Sequence, residues 1–411
     1  MSLSTVPLLL ALAGLTLYVV LGGADFGAGL WQLLSGRGAR GERVREHAHE
    51  AMAPVWEANH VWLVFVLVVM WTCYPVAFGS IVSTLSIPLF IAAIGIIFRG
   101  TSYALRAGTT RAREERTVDT VFGIASVLTP FALGTVAGAI AAGKVPVGNA
   151  AGDLWTSWTG GLSLMVGVLA VAFGAYLSAV YLAADAVRRN AGEMEQAFRA
   201  RALVAGVVAG MLAVLGLVVL RSDARELYDA LVGGDALPAL IVSGLAGIGT
   251  LALVWLRRYE AARYSAAVAV AAIVAGWAIA QQPQLLPGLT VSEAAASHDV
   301  IVAVLVSVAA GALVLVPSLA LLFTLTLRGR LGYEGEGGGA SAEPVGPVRV
   351  LSASRVGLLA RVSVACLIVT LGFLTLADAG WAHAIGVVAL FVCCLTGFRA
   401  AVPVEPATSA D

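Results

Sequence analysis

Long runs of hydrophobic residues alternate with short polar connections along the whole chain of 411 residues. A helix of about 20 apolar residues is long enough to cross the hydrocarbon core of a membrane. We predict transmembrane helices at 5–34, 52–73, 76–98, 118–142, 158–187, 200–220, 237–256, 264–281, 299–327, 357–376 and 381–398. Tyr74 and Pro75 separate the second run from the third, because proline cannot continue the helix before it. The pattern predicts an all-α, polytopic membrane protein.

Composition supports this class. Hydrophobic residues make up 59% of the chain and charged residues only 12%, with a mean hydropathy of +0.91, whereas a soluble domain carries about a quarter charged residues. The formal net charge is zero, so we expect no nucleic-acid partner. The first run is longer than that of a signal peptide and no basic stretch precedes it, so we interpret it as an uncleaved transmembrane helix.

Lysine and arginine residues fall mainly on one side of the predicted membrane. The odd-numbered connections and the segment after the last run hold 22 of the 25, and the other side holds only Lys144, Arg221 and Arg225. Connections rich in these residues stay in the cytoplasm. We therefore expect the N-terminus outside and the C-terminus in the cytoplasm.

A glycine-rich segment, Glu334–Ser341, predicts a flexible linker. We predict a membrane domain at 1–330, a linker at 331–356, and two further helices with a short tail at 357–411. The last two helices are interpreted either as an accessory hairpin that faces lipid or as an added contact with a partner subunit.

Two acidic residues, Asp25 and Glu57, lie inside the first two hydrophobic runs. A carboxylate at membrane depth is costly unless it faces protein or water, so each is a candidate functional residue. Asp25 lies about nine residues before the end of its helix, roughly 13 Å along the axis, and Glu57 lies near the start of the next. Both are therefore predicted in the cytoplasmic half, on the side where Arg99 ends the third run. The three residues could either carry protons or form a buried ion pair that fixes helix packing.

Trp56, Asn59 and His60 flank Glu57 at the start of the second run. Glu57 and His60 are three residues apart and share one helix face. Glu-x-x-His is half of a di-iron site, but that site needs a second such pair and further glutamates, which these runs lack. We predict no metal, and we predict that Trp56, Asn59 and His60 support a polar cluster around Glu57 and Arg99.

The residues around these positions resemble those of a known family. The specific segments are Gly22-Gly23-Ala24-Asp25-Phe26-Gly27, Pro54-Val55-Trp56-Glu57-Ala58-Asn59-His60-Val61-Trp62-Leu63 and Phe98-Arg99-Gly100. They resemble subunit II of the cytochrome bd-type quinol oxidases in order and spacing, and the resemblance covers about Leu8 to Arg330. Leu289-Thr290 and Ala294-Ala295-Ala296-Ser297, before the ninth run, are a weaker match.

This resemblance implies a fold of two four-helix bundles plus one helix, from which helices ten and eleven depart. A short internal similarity, between Leu21–Asp25 and Leu182–Asp185, fits two bundles related by duplication. Gly23 and Gly27 have the spacing of a close helix contact. Their partner helix could lie in this chain or in another subunit.

The resemblance also implies a function. The chain would pair with a haem-bearing subunit I in the cell membrane of a prokaryote, where the complex oxidises ubiquinol or menaquinol and reduces O₂ to water. Haem b and haem d would lie in subunit I, and this chain would bind no cofactor. Only His60 of the five histidines lies well inside a predicted span, whereas haems need axial ligands at membrane depth. Asp25 and Glu57 would carry protons from the cytoplasm, tuned by Arg99. Membrane lipid, quinol and a small accessory subunit complete the expected partners.

Two other functions are considered. A proton-coupled secondary transporter also uses repeats and acidic residues near the membrane midplane, but the carboxylates here are predicted away from the midplane. A purely structural scaffold subunit would tolerate neutral substitutions at both carboxylates.

Overall fold

The computed structural model describes residues 2–36, 38–52, 56–106 and 112–327, and near the C-terminus residues 361–363, 365–366, 369–370 and 380–401. Most of these residues are helical. The helices are α1 (Val6–Leu17), α2 (Gly23–Leu33), α3 (Ala39–Met52), α4 (Trp56–Cys73), α5 (Pro75–Thr84), α6 (Ser86–Arg106), α7 (Ala112–Ala141), α8 (Gly161–Arg188), α9 (Gly192–Asp223), α10 (Arg225–Gly233), α11 (Leu237–Trp255), α12 (Tyr259–Gln281), α13 (Val291–Ala294), α14 (His298–Leu327) and α15 (Gly380–Ala401). A short antiparallel pair, β1 (Gln284–Leu286) and β2 (Leu289–Thr290), lies between α12 and α13.

Eight helical segments of the described chain are long and apolar enough to cross a membrane: Leu3–Leu33, Ser86–Leu105, Glu115–Ala141, Gly161–Arg188, Gly192–Asp223, Leu237–Trp255, Tyr259–Gln281 and His298–Leu315. Two shorter apolar helices are Asn59–Cys73 and Pro75–Thr84. These helices confirm the predicted all-α, polytopic membrane fold. The division into two four-helix bundles plus one helix stays a prediction.

The third predicted span is interrupted. The sequence predicts one helix, but the structure has two, α5 and α6, with Leu85 between them. Pro88 lies four residues after Thr84, and a proline both lacks the N–H for the carbonyl four residues earlier and crowds that carbonyl with its ring. α6 then continues for about two turns beyond the predicted end. Arg99 therefore lies inside a helix and not at its end.

Two helices of nine or more residues in polar connections, α3 and α10, are absent from the sequence prediction. Neither has a long apolar run, so a search for hydrophobic runs does not detect them. In α3 the apolar residues are few but placed on one face: Val44 and Ala48 are four residues apart, and both are buried. α3 packs against α2, α8 and α9.

A π-helical turn at Tyr18–Gly22 separates α1 from α2 within the first span. Such a turn holds one extra residue in the helix and is frequent at functional sites. Asp25 lies in the first turn of the helix that follows it.

The helices pack around α8, which contacts α2, α7, α9 and α12. One apolar core surrounds it and also includes residues of α3. A second core joins α1, α4, α5 and α7 to the β1–β2 pair through Leu286. The segment after α13 is tied to the end of α4, because the Ala296 N–H donates to the Cys73 carbonyl at 2.8 Å.

α2 and α8 approach each other closely at glycines. A Cβ atom on Gly27 would overlap the backbone of Gly174 and the side chain of Ser178. Gly23, one turn earlier, faces Leu177 and Gly174. The small residues of the first span therefore pack within this chain.

Gly27→Val is expected to push α2 away from α8 and to destabilise the protein by about 1–3 kcal/mol, the usual cost of overpacking. Gly244→Val is the matched control, since Gly244 is also helical and no atom lies within 4 Å of the Cβ position there. The midpoint of thermal unfolding in detergent checks this. It should fall for Gly27→Val only, and an equal midpoint for both variants would show that the contact is loose.

The chain divides into two compact units, Met1–Thr324 and Leu325–Asp411. Within the second unit, the Ser363 hydroxyl donates to the Cys393 carbonyl at 3.0 Å, so the segment around Ser363 packs against α15. The predicted linker, 331–356, lies outside the described residues. The three-part domain organisation stays a prediction.

Removal of the chain after Arg330 tests whether the first unit is independent. The division between the units lies close to this residue, so the shortened chain is expected to reach the membrane in normal amounts. A reporter fused to the new C-terminus should be cytoplasmic, because the nine predicted spans end inside when they start from the predicted external N-terminus. Absence of the shortened chain from the membrane would show that the first unit depends on the second.

Candidate functional site

Asp25 and Arg99 form an ion pair in the interior of the protein. Asp25 lies on α2 and Arg99 on α6, and their exposed fractions are 0% and 1%. One guanidinium nitrogen, Nη2, donates to Oδ1 of Asp25 and to its backbone carbonyl, the latter at 3.1 Å. Either charge alone would be strongly destabilising at this depth, since removal of one partner from a buried pair costs about 3–5 kcal/mol.

The guanidinium of Arg99 also contacts a hydroxyl group and two aromatic rings. Its Nη1 donates to the hydroxyl of Ser126 on α7, and that hydroxyl in turn donates to the carbonyl of Phe122 at 2.7 Å. The rings of Phe26 and Phe122 lie 4.8 and 4.4 Å from the central guanidinium carbon, at distances typical of cation–π contacts. α2, α6 and α7 together therefore fix the cation.

The start of α4 lies beside this pair. The Asn59 side-chain amide is close to the Asp25 carboxyl group and donates to the Leu21 carbonyl at 3.4 Å. The His60 ring lies among aromatic rings, 6.1 Å from Tyr18 and 6.0 Å from Phe26. Nδ1 of His60 makes no hydrogen bond to any side chain that the structure describes. The predicted polar cluster therefore includes Asn59, whereas His60 is surrounded by aromatic rings.

Trp56 and Glu57 form the first turn of α4, and their side chains lie outside the described part of the chain. The structure therefore brings together Asp25, Arg99 and Asn59. It places the helix turn of Glu57 immediately before Asn59, and the role of Glu57 stays a prediction.

A small cavity of about 10 Å³ adjoins the ion pair. It is lined by Asp25, Ala28, Gln32, His49, Arg99, Tyr103 and Phe122. A cavity of this size accommodates about one water molecule. Gln32, His49 and Tyr103 are site residues that the sequence analysis missed, and two of them carried a signal. Gln32 follows Asp25 by seven residues and Tyr103 follows Arg99 by four, so each shares a helix face with a charged residue.

Asp185, the residue related to Asp25 by the internal similarity, has a different environment. Its side chain is 22% exposed and pairs with Arg189 at 2.7 Å. His47 of α3 lies 4.0 Å from the same carboxylate, and its ring nitrogen hydrogen-bonds the Leu182 carbonyl at 3.1 Å. Asp185 therefore belongs to a partly solvated ion-pair group that holds α3, whereas Asp25 lies in a closed interior.

Metal ligands do not cluster in the described ranges, where no group of three or more histidine, cysteine, aspartate and glutamate side chains could hold an ion.

Comparison with known proteins decides the family. The model of the cytochrome bd terminal oxidase subunit II family matches residues 3–326. The chain belongs to that family. Its sequence is 26% identical over 119 residues to cytochrome bd ubiquinol oxidase subunit 2 of Bacillus subtilis (strain 168), a match that covers 29% of this chain and 34% of that protein. The aligned region thus spans about a third of the relative's length.

The fold is also similar to a chain in the structure of the bd oxidase from Geobacillus thermodenitrificans. The TM-score is 0.67 at 26% sequence identity, and the match covers 80% of this chain and 99% of that one. The subunit II match ends at residue 326, before the last two predicted spans. The resemblance inferred from the sequence segments is confirmed.

Arg99→Leu is expected to lower the stability of this subunit II chain by about 3–5 kcal/mol, because Asp25 would be left as an unpaired buried charge. Arg225→Leu is the matched control, since Arg225 is 71% exposed and lies 3.7 Å from Asp229, and such surface pairs contribute about 0–1 kcal/mol. Membrane level and thermal midpoint should fall for Arg99→Leu alone. A stable Arg99→Leu chain would contradict the tight coupling of the pair.

Proposed function

We propose that this chain is the haem-free second subunit of a quinol:O₂ oxidoreductase, which braces a haem-bearing subunit I and supplies it with protons from the cytoplasm. Family membership supports the oxidase assignment. The fully buried Asp25–Arg99 pair beside a small polar cavity is the observation that carries the proton-supply role.

The pair has the properties of a site that gains and loses a proton. Reduction of O₂ to water consumes protons, and a carboxyl group is a suitable carrier when its surroundings tolerate both charge states. Arg99 engages only one carboxyl oxygen, Oδ1, while Oδ2 accepts no hydrogen bond of normal geometry from any described residue. When Asp25 is protonated, Ser126 and the two phenylalanine rings still hold the guanidinium. The cation therefore need not move as the proton enters and leaves.

Glu57 is proposed as the second proton carrier. Asn59 and His60, within one turn of it, contact the segment that holds Asp25. The helix turn of Glu57 thus starts next to that segment. A proton could pass between the two acids over a short distance, and subunit I would receive it.

The orientation is also part of this proposal. The arginine-rich connections support an orientation in which α3, and with it the cavity side of the ion pair, lies in or near the cytoplasm of a prokaryotic cell and the N-terminus lies outside. Uptake from this side allows quinol oxidation by the complex to contribute to a proton gradient. Ubiquinol or menaquinol is the substrate of the complex, and haem b and haem d lie in subunit I.

One observation favours a structural scaffold instead. Arg99 ties three helices together, so the pair could serve packing alone. The two functions predict different turnover for Asp25→Asn. The asparagine keeps a polar contact with Arg99 but cannot gain and lose a proton, so turnover falls only if Asp25 carries protons.

Asp25→Asn and Glu57→Gln are each expected to slow oxygen consumption by the assembled complex by roughly tenfold to hundredfold, at or below the low end of the effect of a lost general acid–base group. Glu57→Asp should retain more activity than Glu57→Gln, because a carboxyl group remains. Asp185→Asn is the matched control, because it makes the same substitution at an aspartate whose side chain is partly exposed. Quinol-driven oxygen uptake checks the rates, and the haem absorption spectrum checks assembly.

Wild-type turnover in fully assembled Asp25→Asn and Glu57→Gln complexes would support the scaffold function and reject the proton path. If Asp185→Asn slowed turnover as much as the two site variants do, the loss of turnover would be a general result of removing an acidic residue and not specific to the buried site.

A further inference from the structure

We propose that His49 is the residue through which protons enter the Asp25 cavity from solution, by way of one water molecule bound in that cavity. This inference rests on the proposed proton-supply function.

His49 lies where solution and cavity meet. It is on α3, half-buried, and lines the same cavity as Asp25. The ring also packs on Tyr103, with centroids 5.0 Å apart and planes inclined by 30°. His49 is therefore partly accessible to solvent and also borders the cavity beside the buried acid.

α3 holds His49 in this position. Val44 and Ala48 bury the inner face of the helix against the core. Arg45 donates to the Ser35 hydroxyl at 2.7 Å, and Glu50 pairs with Arg189 at 2.5 Å. Contacts on both sides of His49 thus fix the helix that carries it.

Three residues that line the cavity have buried polar atoms that a water molecule would satisfy. Asp25 Oδ2, Gln32 Oε1 and Arg99 Nε are buried, and none makes a hydrogen bond within the described residues. Buried polar atoms in proteins nearly always have a partner, either protein or ordered water. A buried water typically makes two to four such bonds. One water that accepts from Arg99 Nε and donates to the two oxygens meets this requirement in a cavity of about 10 Å³.

The transfer step is balanced in atoms and charge. A protonated His49 gives its ring proton to the water, and the water gives one of its own protons to Oδ2 of Asp25. His49 is left neutral and takes the next proton from solution. Only N–H and O–H bonds change, and one positive charge moves from the ring to the Asp25–Arg99 pair.

His49 is the suitable donor among the groups that line the cavity. The cavity is also lined by Arg99 and Tyr103, but guanidinium and phenol groups ordinarily exchange protons only well above neutral pH. Imidazole alone exchanges its proton readily in this range.

The test uses the assembled oxidase. His49→Phe keeps an aromatic ring against Tyr103 but has no exchangeable proton, and Gln32→Leu removes one partner of the water. Each is expected to slow quinol-driven oxygen uptake by roughly tenfold or more, toward the low end of general acid–base effects, with an unchanged haem spectrum. His298→Phe, at a side chain that is 75% exposed, is the control and should keep wild-type turnover.

Chemical rescue separates proton entry from packing. His49→Ala is expected to be slow, and added imidazole should restore a large part of its turnover, because the small base replaces the missing ring. Loss of turnover without rescue, or with loss of the haem spectrum, would overturn the proposal in favour of a structural role.

The outcomes also distinguish this proposal from the one on which it rests. If His49→Phe keeps full turnover while Asp25→Asn is slow, protons enter by another route and the His49 proposal is wrong, although the proposed function stands. If both variants keep full turnover, the proton-supply function itself fails.

Discussion

The ion pair between Asp25 and Arg99 is the constraint on which the arrangement of the first helices depends. Neither charge is tolerated alone at this depth, since an uncompensated buried charge costs about 3–5 kcal/mol. α2 and α6 must therefore meet where the two side chains meet, and α7 must present Ser126 and Phe122 to the same guanidinium. On the other face of α2, the contact between Gly27 and Gly174 brings in α8. Four helices are thus positioned around one carboxyl group.

Asp25 and Asp185 lie in similar sequence segments but have different environments in the structure. Asp25 lies in the interior and lines a small cavity, whereas Asp185 pairs with Arg189 near the surface. α3 connects the two places, because His47 contacts the end of α8 and His49 reaches the cavity. A helix that the hydrophobic runs do not reveal thus covers the buried pair on the side from which the proposed protons come.

Much of the fold and the centre of the site could be predicted from the sequence. Apolar runs reveal the spans because membrane depth imposes a length and a composition. Asp25 and Arg99 stand out because charged residues are rare at that depth. The break at Leu85 was missed because a continuous apolar run hid the effect of Pro88 on the helix. Gln32 and Tyr103 share helix faces with Asp25 and Arg99, but His49 was missed because the sequence does not show that the connection holding α3 folds back onto the cavity between α2, α6 and α7.

Asp25 is proposed to gain and lose a proton while the oxidase works. Infrared difference spectra of the assembled complex, oxidised minus reduced, test this most directly in the stretching region of protonated carboxyl groups. A band in this region that responds to the redox state and disappears in Asp25→Asn, with the haem spectrum intact, is the predicted result. Identical carboxyl bands in the wild-type and Asp25→Asn complexes would contradict the account, since Asp25 would then keep one protonation state throughout.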